Sequence, residues 1–318
     1  MIRNVTRYEG VNNVTGSKVR KKEKFRWNVA YLYLIPWLIG ILLLRLWPFI
    51  EALRVSLFFE RIGRAPQFVG FENFQNLIVG TLPAFERFRS SFFITVQYVF
   101  LTVPLVLVVA LFVAFILNFK IKGIGFFRTA FYIPSILGGS VSIAFLWRNI
   151  FGTSGLINSF IGIFGITGPA WMTDPSFALI VMALLRAWQF GSVMLIFLSA
   201  LQNVPASLYE AASIDGAGKW RQFFLITVPI ITPTILFNTI NLLVAAFQEF
   251  NAPFLVFANP GGPARAADLL NIFIYDTAFV QGNFGVAAAA SWIMFVVIAI
   301  FTLLIFKFSD KYVFYNDN

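Results

Sequence analysis

The residues of this sequence that could bind a polar molecule are a few with amide or charged side chains inside long apolar stretches. They are Gln97, Arg186, Gln189, Asn241, Gln248, Glu249 and Asn251. Such groups are costly in an apolar surrounding, so they usually face a polar cavity or bond to a neighbouring helix. At about 100° per residue, Asn241 and Gln248 share one helical face with Asn238 nearby. Phe247 and Phe250 beside them could stack on the apolar face of a ligand ring. We predict a polar solute pathway, with interhelical hydrogen bonding as the alternative.

Several other chemistries are excluded by what the sequence lacks. It has no cysteine and no histidine, which removes disulfides, thiolate nucleophiles, imidazole catalysis and the usual zinc ligands. The Gly-Lys-Trp at 218–220 is no phosphate-binding loop, because Ser or Thr and the upstream glycine are missing. The carboxylates of Asp174, Asp268 and Asp276 are scattered over separate loops, without the pairing that a membrane-embedded transferase needs. We therefore expect no catalytic residue, no metal site and no cofactor bound by this chain.

The composition indicates a membrane protein. Of the 318 residues 59% are hydrophobic and 12% are charged, whereas soluble domains carry roughly 25% charged residues. A transmembrane helix needs about 20 mostly apolar residues. Six segments meet this requirement, at about 30–57, 92–117, 126–150, 176–201, 229–257 and 286–308. We predict an all-α, polytopic membrane protein with six transmembrane helices.

The placement of the basic residues predicts the orientation of these helices. Lys and Arg accumulate on the cytoplasmic side of membrane proteins, and here they crowd before the first apolar segment and in alternate loops. This placement accounts for the net charge of +10. We therefore expect membrane lipid, and not nucleic acid, as the partner of the basic residues. We predict a basic cytoplasmic arm at 1–28, a transmembrane domain at 29–310 and a cytoplasmic tail at 311–318.

The cytoplasmic loop at about 202–228 has the local features of two short helices. Asn203 can cap the first helix, with Pro205 in its first turn. Asp215 can cap the second, beyond the flexible turn at 216–218. Two short helices at an angle make a rigid knob, and an ordinary amphipathic loop is the alternative.

Contact with another protein would use the small and charged residues of this knob. Ala211 and Ala212 allow a second surface to approach the backbone closely, and Glu210 offers an acceptor to a basic residue of a neighbouring helix or a partner. The candidate docking residues are Glu210, Ala211, Ala212, Asp215, Gly216, Ala217 and Gly218.

This loop resembles the EAA loop of binding-protein-dependent ABC importer permeases. In that family Glu-Ala-Ala is followed after three residues by Gly, and about nine residues later by Ile-x-Leu-Pro. The matching residues here are Glu210, Ala211, Ala212, Asp215, Gly216, Ala217, Phe223, Ile226 and Pro229. Val228 replaces the usual Leu, a conservative change. The match falls between the fourth and fifth predicted helices, in a loop that the charges place in the cytoplasm.

Two further patterns resemble the carbohydrate permeases of this group, and together the resemblance covers about residues 30–310. The first comprises Pro36, Pro48, Ser56 and the Phe-Val-Gly-Phe-Glu-Asn-Phe at 68–74. The second comprises Gly261-Gly262-Pro263, Ile274-Tyr275, Ala278-Phe279, Gly285 and Ala287-Ala288. The second pattern is similar to that of the maltose- and glycerol-phosphate-type half of a sugar permease pair.

The resemblance implies an ABC type I importer permease fold in a bacterial or archaeal plasma membrane, with both termini cytoplasmic. It implies four partners: a second permease subunit of similar fold, two ATPase subunits that hold ATP and Mg²⁺, and an extracytoplasmic solute-binding protein. The function it implies is import of a sugar or oligosaccharide by alternating access, with the loop at 202–228 coupling the ATPase to the permease. The alternatives are a permease for a peptide, polyamine or glycerophosphodiester and, more remotely, a membrane-embedded transferase.

The charge of the solute is left open by the sequence. Arg45 and Arg148 lie within apolar stretches, where arginines can reach an interface by snorkelling. Further arginines occur in the predicted outer loops, at Arg61, Arg64, Arg87, Arg89 and Arg265. Together they permit an anionic solute such as an acidic saccharide.

Overall fold

The chain is almost entirely helical in a computed structural model that describes residues 31–80, 83–119 and 122–309, which confirms the predicted fold class. The predicted cytoplasmic arm and tail lie outside these residues. The helices are α1 Tyr31–Ser56, α2 Glu72–Val79, α3 Pro83–Leu117, α4 Ile124–Leu137, α5 Val141–Ile150, α6 Leu156–Ile163, α7 Pro175–Trp188, α8 Gly191–Gln202, α9 Ala206–Ile214, α10 Lys219–Ile230, α11 Thr232–Phe247, α12 Asn251–Leu255, α13 Leu270–Val280 and α14 Phe284–Ser309. A short hairpin joins β1 Phe58–Phe59 to β2 Gln67–Phe68.

The chain divides into two compact units at Arg54 and Val55. The first unit contains most of α1, which includes a π-helical turn at Leu42–Leu46. Arg45 lies in that turn, and near the end of the unit Arg54 forms an ion pair of 2.6 Å with Glu51.

In the second unit α3 is the central helix and packs against α7, α8 and α11. Its residue Tyr98 is fully buried, together with Met182 of α7, Phe197 of α8 and Phe247 of α11. The helix begins at Pro83, well before the predicted start at 92, so it carries Arg87 and Phe88 in its first turns.

Three of the helices are long and apolar enough to cross a membrane alone, namely α1, α3 and α14. Three further spans are bent pairs, with angles of 106° between α4 and α5, 49° between α7 and α8, and 69° between α10 and the segment α11–α12. The sequence predicted each of these as one continuous helix, at 126–150, 176–201 and 229–257. The number of six spans therefore holds only if each bent pair is counted as one span.

The breaks have local causes. Gly139 adopts a left-handed φ of 85°, which ends α4, and Ser140 then caps α5 by accepting a bond of 3.3 Å from the amide of Ile143. Pro233 lies in the first turn of α11, where a missing amide is tolerated. Before it, the hydroxyl of Thr232 donates to the carbonyl of Pro229 at 2.7 Å, which satisfies one group freed by the kink.

The hairpin is attached to both neighbouring helices by the residues of the Phe-Val-Gly-Phe-Glu-Asn-Phe pattern. The buried amide of Asn73 donates to the carbonyls of Ser56 and Phe58, each at 2.9 Å. Gly285 at the start of α14 packs directly on the carbonyl of Phe58, where a methyl group would collide. Asn73 thus fixes Ser56 and the hairpin beside the start of α14.

Arg87 joins α3 to the loop before α13 through a buried ionic cluster. Its guanidinium donates to Asp268 at 2.7 and 2.8 Å and forms an ion pair of 2.8 Å with Asp276. A methyl group at Gly261, whose φ is 88°, would lie 3.1 Å from the carboxylate of Asp268 and crowd it. Asp268 and Asp276, which were expected to be scattered over separate loops, thus both bind the same arginine.

This cluster gives a test of stability. We expect Asp268→Asn to destabilise the chain by about 2–3 kcal/mol, somewhat less than the ~3–5 kcal/mol usual for breaking a buried pair, because Asp276 still faces Arg87. The measurement is thermal unfolding of the detergent-purified chain. Glu86→Gln, at an exposed residue one position before Arg87, is the matched control. Equal melting temperatures for the two variants would contradict the structural role of the cluster.

Candidate functional site

The three broken spans meet at one cavity of about 160 Å³. Its polar lining comes from residues at or beside the breaks between α4 and α5 and between α7 and α8, and at the interruption between α11 and α12, which is separate from the 69° bend before α11. These are Ser135, Gly138, Gly139 and Ser140 between α4 and α5, Arg186 and Gln189 between α7 and α8, and Glu249 and Asn251 between α11 and α12. Tyr98 of α3 and several apolar side chains of α5, α7 and α12 complete the wall. The cavity is thus built where interrupted helices expose polar groups inside the helical bundle.

The glycines between α4 and α5 allow the other two breaks to come close. A methyl group at Gly138 would lie 2.6 Å from the amide carbon of Gln189. One at Gly139 would lie 3.3 Å from the side-chain nitrogen of Asn251. Real Cβ atoms do not come as close as the first of these distances, so Gly138 is required for Gln189 to occupy its place.

The break between α7 and α8 is stabilised by Ser135 from α4. Its hydroxyl donates to the carbonyl of Gln189 at 3.1 Å and accepts from the amide of Ser192 at 3.0 Å. Arg186 donates to the side-chain oxygen of Gln189 at 3.3 Å, and no carboxylate of the described residues forms an ion pair with it. The amide nitrogen of Gln189 and most of the Arg186 guanidinium are therefore available as donors in the cavity.

The break between α11 and α12 is stabilised from both sides. Glu249 accepts from the amide of Ala252 at 3.0 Å, while Asn271 of α13 donates to the carbonyls of Phe247 and Glu249 at 3.5 and 3.3 Å. Arg148 donates to the carbonyls of Leu255, Val256 and Phe257 at the end of α12, at 2.6 to 2.7 Å. One oxygen of Glu249 is left as an acceptor in the cavity.

Four of the seven predicted pathway residues line this cavity: Arg186, Gln189, Glu249 and Asn251. The other three, Gln97, Asn241 and Gln248, are exposed on the outside of α3 and α11. Asn238, about one turn before Asn241, is buried.

Phe247 and Phe250 do not line the cavity, contrary to their expected stacking role. Phe247 is buried against Phe301 and Phe250 stacks on Phe254, with ring centroids 5.6 and 4.9 Å apart.

Sequence reasoning missed the contribution of α4 and α5 to the site. The signal was the Gly-Gly-Ser at 138–140, which interrupts an apolar segment at its middle. Consecutive glycines inside a predicted span disfavour a continuous helix, and interrupted spans in transporters commonly mark the binding site. Tyr98 gave no such signal, because a tyrosine within an apolar helix is equally compatible with the core.

Three of the arginines that suggested an anionic solute are engaged with the protein. Arg148 binds carbonyl groups, Arg87 binds two aspartates, and Arg89 donates to the carbonyls of Ile78 and Gly80 at 3.2 and 2.9 Å. Snorkelling does not describe Arg148, whose guanidinium binds the carbonyls at the end of α12. Arg186 is the cation that lines the cavity, so the argument for an acidic saccharide now depends on it.

The loop at 202–228 contains α9 and the start of α10, and none of the residues of α9 is buried. At its end, Gly216 has a φ of 79°. The amide of Ala217 donates to the carbonyl of Ala212 at 2.9 Å, and that of Gly216 to Ser213 at 3.1 Å. This pair of bonds is a Schellman motif, which requires a left-handed residue where Gly216 stands. The number of residues between Glu-Ala-Ala and Gly216 therefore places this glycine where the Schellman motif ends α9.

The two predicted caps in this loop were wrong. Asn203 ends α8 instead of beginning α9, and Pro205 stands just before the first helical residue. Asp215 ends α9, while Gly218 precedes α10 and makes no side-chain cap. The predicted pair of helices exists with shifted boundaries, because the Schellman motif, which sequence reasoning did not consider, uses Asp215 and Gly216 as the end of the first helix.

The exposed surface of α9 is available to a partner. The carboxylate of Glu210 has no hydrogen bond or ion pair to the residues that the structure describes, and Ala211 beside it is exposed. Ile214, at the tip, is 88% exposed. A rigid helix that ends in an exposed apolar side chain beside a free carboxylate is suited to docking in a groove of another protein.

Comparison with known proteins gives a family match. Residues 76–314 match the family described as binding-protein-dependent transport system inner membrane component. The chain is 40% identical over 289 residues to "Probable ABC transporter permease protein YesP" of Bacillus subtilis (strain 168), covering 91% of this chain and 92% of the relative. It is 31% identical over 282 residues to "Lactose transport system permease protein LacF" of Rhizobium radiobacter, covering 87% and 92%.

One solved structure with a similar fold is that of a bacterial alginate ABC transporter in complex with an alginate pentasaccharide-bound periplasmic protein. The similarity has a TM-score of 0.76 and covers 91% of this chain and 96% of that one, at 23% identity. At this identity it shows the fold, which is that of an ABC importer permease.

The Schellman motif gives the next test. We expect Gly216→Ala to destabilise the end of α9 by about 1–2 kcal/mol, because an alanine in the left-handed region is strained by about this amount. Amide hydrogen exchange at residues 215–217 should accelerate about 5–30-fold. Gly218→Ala is the matched control, because Gly218 has a φ of −67° and open space around its Cα. Exchange that is equally fast in both variants would show that the motif does not hold the helix end.

Proposed function

The chain belongs to the family of binding-protein-dependent transport system inner membrane components, and on this premise we propose that it is the permease subunit of an ATP-binding cassette importer for a sugar or oligosaccharide. The observation that carries the proposal is the convergence of three broken spans on one polar cavity. Sites at interrupted helices inside the bundle are the usual arrangement in transporters.

The chemistry of the cavity suits a saccharide. Arg186 and Gln189 supply donors, Glu249 supplies an acceptor, and Asn251 supplies both. A sugar ring presents hydroxyl groups that both donate and accept, so it can satisfy all four side chains. The names of the relatives also support a saccharide, since one of them is called a lactose transport system permease protein.

A second permease subunit is the partner that would complete the site. The cavity of about 160 Å³ is smaller than the ~300–1,000 Å³ of pockets that enclose a drug-sized ligand. Gln97, Asn241 and Gln248 are exposed on apolar helices, where contact with lipid would be costly. A second chain of similar fold against this face would cover these amides and enlarge the cavity.

The energy for transport would come from two partner ATPase subunits, which bind ATP and Mg²⁺. The described part of the chain offers no phosphate-binding loop of its own, and α9 has the exposed, rigid form of a docking helix. ATP binding would close the ATPase pair and draw the docked helices together. The permease halves would then change from inward-facing to outward-facing and accept the solute from an extracytoplasmic binding protein, as alternating access requires.

This mechanism requires α9 to lie on the cytoplasmic side of the plasma membrane. The excess of basic residues before α1 and around α9 supports that orientation, with both termini in the cytoplasm. The hairpin, α2 and α13 then lie on the outer side and offer the surface for the binding protein.

The second candidate function is a permease of the same family for another polar solute, such as a peptide, polyamine or glycerophosphodiester. The solute of the cognate binding protein decides between them, and titration calorimetry with a panel of neutral sugars, acidic sugars, peptides and polyamines identifies it. High affinity for a peptide or polyamine, with none for saccharides, would contradict the sugar proposal. If the binding protein prefers an acidic to a neutral saccharide, we expect Arg186 to bind the carboxylate of that saccharide.

The coupling role of α9 is tested in proteoliposomes that contain the chain, its second permease and the ATPases. With binding protein and sugar, we expect ATP-dependent uptake by the wild type. Glu210→Ala should lower both uptake and co-purification of the ATPases, because a charged contact to the partner is lost. Loss of a hydrogen-bonded charge contact commonly costs about 2–5 kcal/mol. Glu210→Asp, which retains the charge, should recover part of both. Unchanged uptake and unchanged co-purification in Glu210→Ala would contradict the proposal.

The cavity is tested by removing one donor. Gln189→Ala should raise the solute concentration for half-maximal ATPase stimulation about tenfold, as expected for a hydrogen bond to solute worth ~1.4 kcal/mol. Basal ATPase activity should be unaffected. Gln202→Ala, the same change at an exposed glutamine where α8 ends, is the control. Identical stimulation curves for both variants would place the solute elsewhere.

A further inference from the structure

Four side chains connect α9 to α10 in a closed ring of hydrogen bonds. Ser213 donates to the carbonyl of Tyr209 at 2.7 Å, and Gln222 donates to the Ser213 hydroxyl at 2.9 Å. Thr227 contacts the carbonyl of Gln222 at 3.5 Å, and its hydroxyl is 2.8 Å from the hydroxyl of Tyr209. Gln222 also donates to the carbonyl of Ala217 at 3.0 Å. The ring therefore includes both helices and the turn between them.

The ring is protected from water on the α10 side. Gln222 and Thr227 are each 3% exposed, and Phe223 between them packs on Phe115 of α3 with ring centroids 4.6 Å apart. Hydrogen bonds in such surroundings are stronger than exposed ones, because the local dielectric is low. The ring is thus a strong connection, although α9 itself is exposed.

The connection runs to α10 and not to α8. Within residues 122–309, the side-chain hydrogen bonds of α9 all go to α9 itself or to residues 222–227. Towards α8 the described contacts are backbone turns at Asn203 and Val204. A force applied to α9 therefore acts on α10, which continues through the kink at Ile231 into α11 and reaches Glu249 and Asn251 at the cavity.

Without the ring, the turn between α9 and α10 would be flexible. Gly216 and Gly218 have open space around them, and glycine gives the backbone freedom to rotate. Motion of α9 would then be absorbed at the turn. With the ring closed, α9 and α10 move as one body.

On the basis of the proposed function, we propose that Tyr209, Ser213, Gln222 and Thr227 are positioning residues that convert movement of the docked α9 into movement of the broken fifth span. They touch neither solute nor nucleotide in this proposal. They keep the ratio of solute imported to ATP hydrolysed high, and they are not required for docking of the ATPase.

The experiment compares isosteric variants in the complete reconstituted transporter. Tyr209→Phe and Thr227→Val each remove the bond that closes the ring, with little change in volume. We expect solute imported per ATP to fall about fivefold, the change in population that loss of one such bond produces. ATPase co-purification and basal hydrolysis should equal those of the wild type. The double variant should be no worse than either single variant, because both changes remove the same interaction.

Ser213→Ala breaks the ring at a second place, because it removes the hydroxyl that bonds to Tyr209 and Gln222. Ser207→Ala is its matched control. Ser207 is exposed on the same helix and takes no part in the ring, so its variant should couple like the wild type. The proposal is overturned if the ring variants import as much solute per ATP as the wild type, or if their loss of import is matched by loss of bound ATPase. A wild-type assembly that imports no solute would instead contradict the proposed function.

A second measurement does not depend on transport. Since the chain has no cysteine, spin labels can be attached to cysteines introduced at Ser207 and at Leu225, which are exposed on α9 and α10. In the assembled transporter we expect a narrow distance distribution for the intact ring and a broader one in Tyr209→Phe. Equal widths would overturn the rigid connection whatever the solute is.

Discussion

A helix that is interrupted inside a membrane frees peptide groups that no water can satisfy, and this constraint governs the whole structure. An unsatisfied amide or carbonyl in hydrocarbon costs several kcal/mol, so a break persists only where other protein groups bond to it. The part of the chain that the structure describes has three broken spans, and two of the interruptions, between α7 and α8 and between α11 and α12, are bonded by side chains of other helices. Ser135 bonds to the break between α7 and α8, Asn271 to the end of α11, and Arg148 to the carbonyls at the end of α12.

These partners also decide which polar groups are left for a solute. Arg148 and Asn271 are committed to carbonyl groups, while Arg186 and Gln189 retain free donors. The site therefore consists of the polar side-chain groups that are not already hydrogen-bonded to the backbone at the breaks. Elsewhere in the described residues, Asn73 and the Arg87 cluster hold the hairpin and the loop before α13 against α14 and α3.

Prediction from the sequence succeeded where the signal is local and failed where it depends on packing. Apolar length was enough to find the spans, and the spacing of Glu-Ala-Ala to Gly216 was enough to find the short helix α9. The breaks at 138–140 and 248–250 were missed, because mean hydropathy does not register a glycine pair or a cap from another helix. The contact of Asp268 with Arg87 was not predicted, since the two residues are 181 positions apart along the chain and no sequence spacing reports such a contact.

The central claim is that the interrupted spans of this chain form one wall of the solute site of an importer. It is tested most directly by a structure of the assembled transporter, stalled with a non-hydrolysable ATP analogue and loaded with its solute. The account predicts solute density within hydrogen-bonding distance of Gln189 and Glu249, between the breaks of α4–α5, α7–α8 and α11–α12. Solute density that contacts none of these three breaks would contradict it.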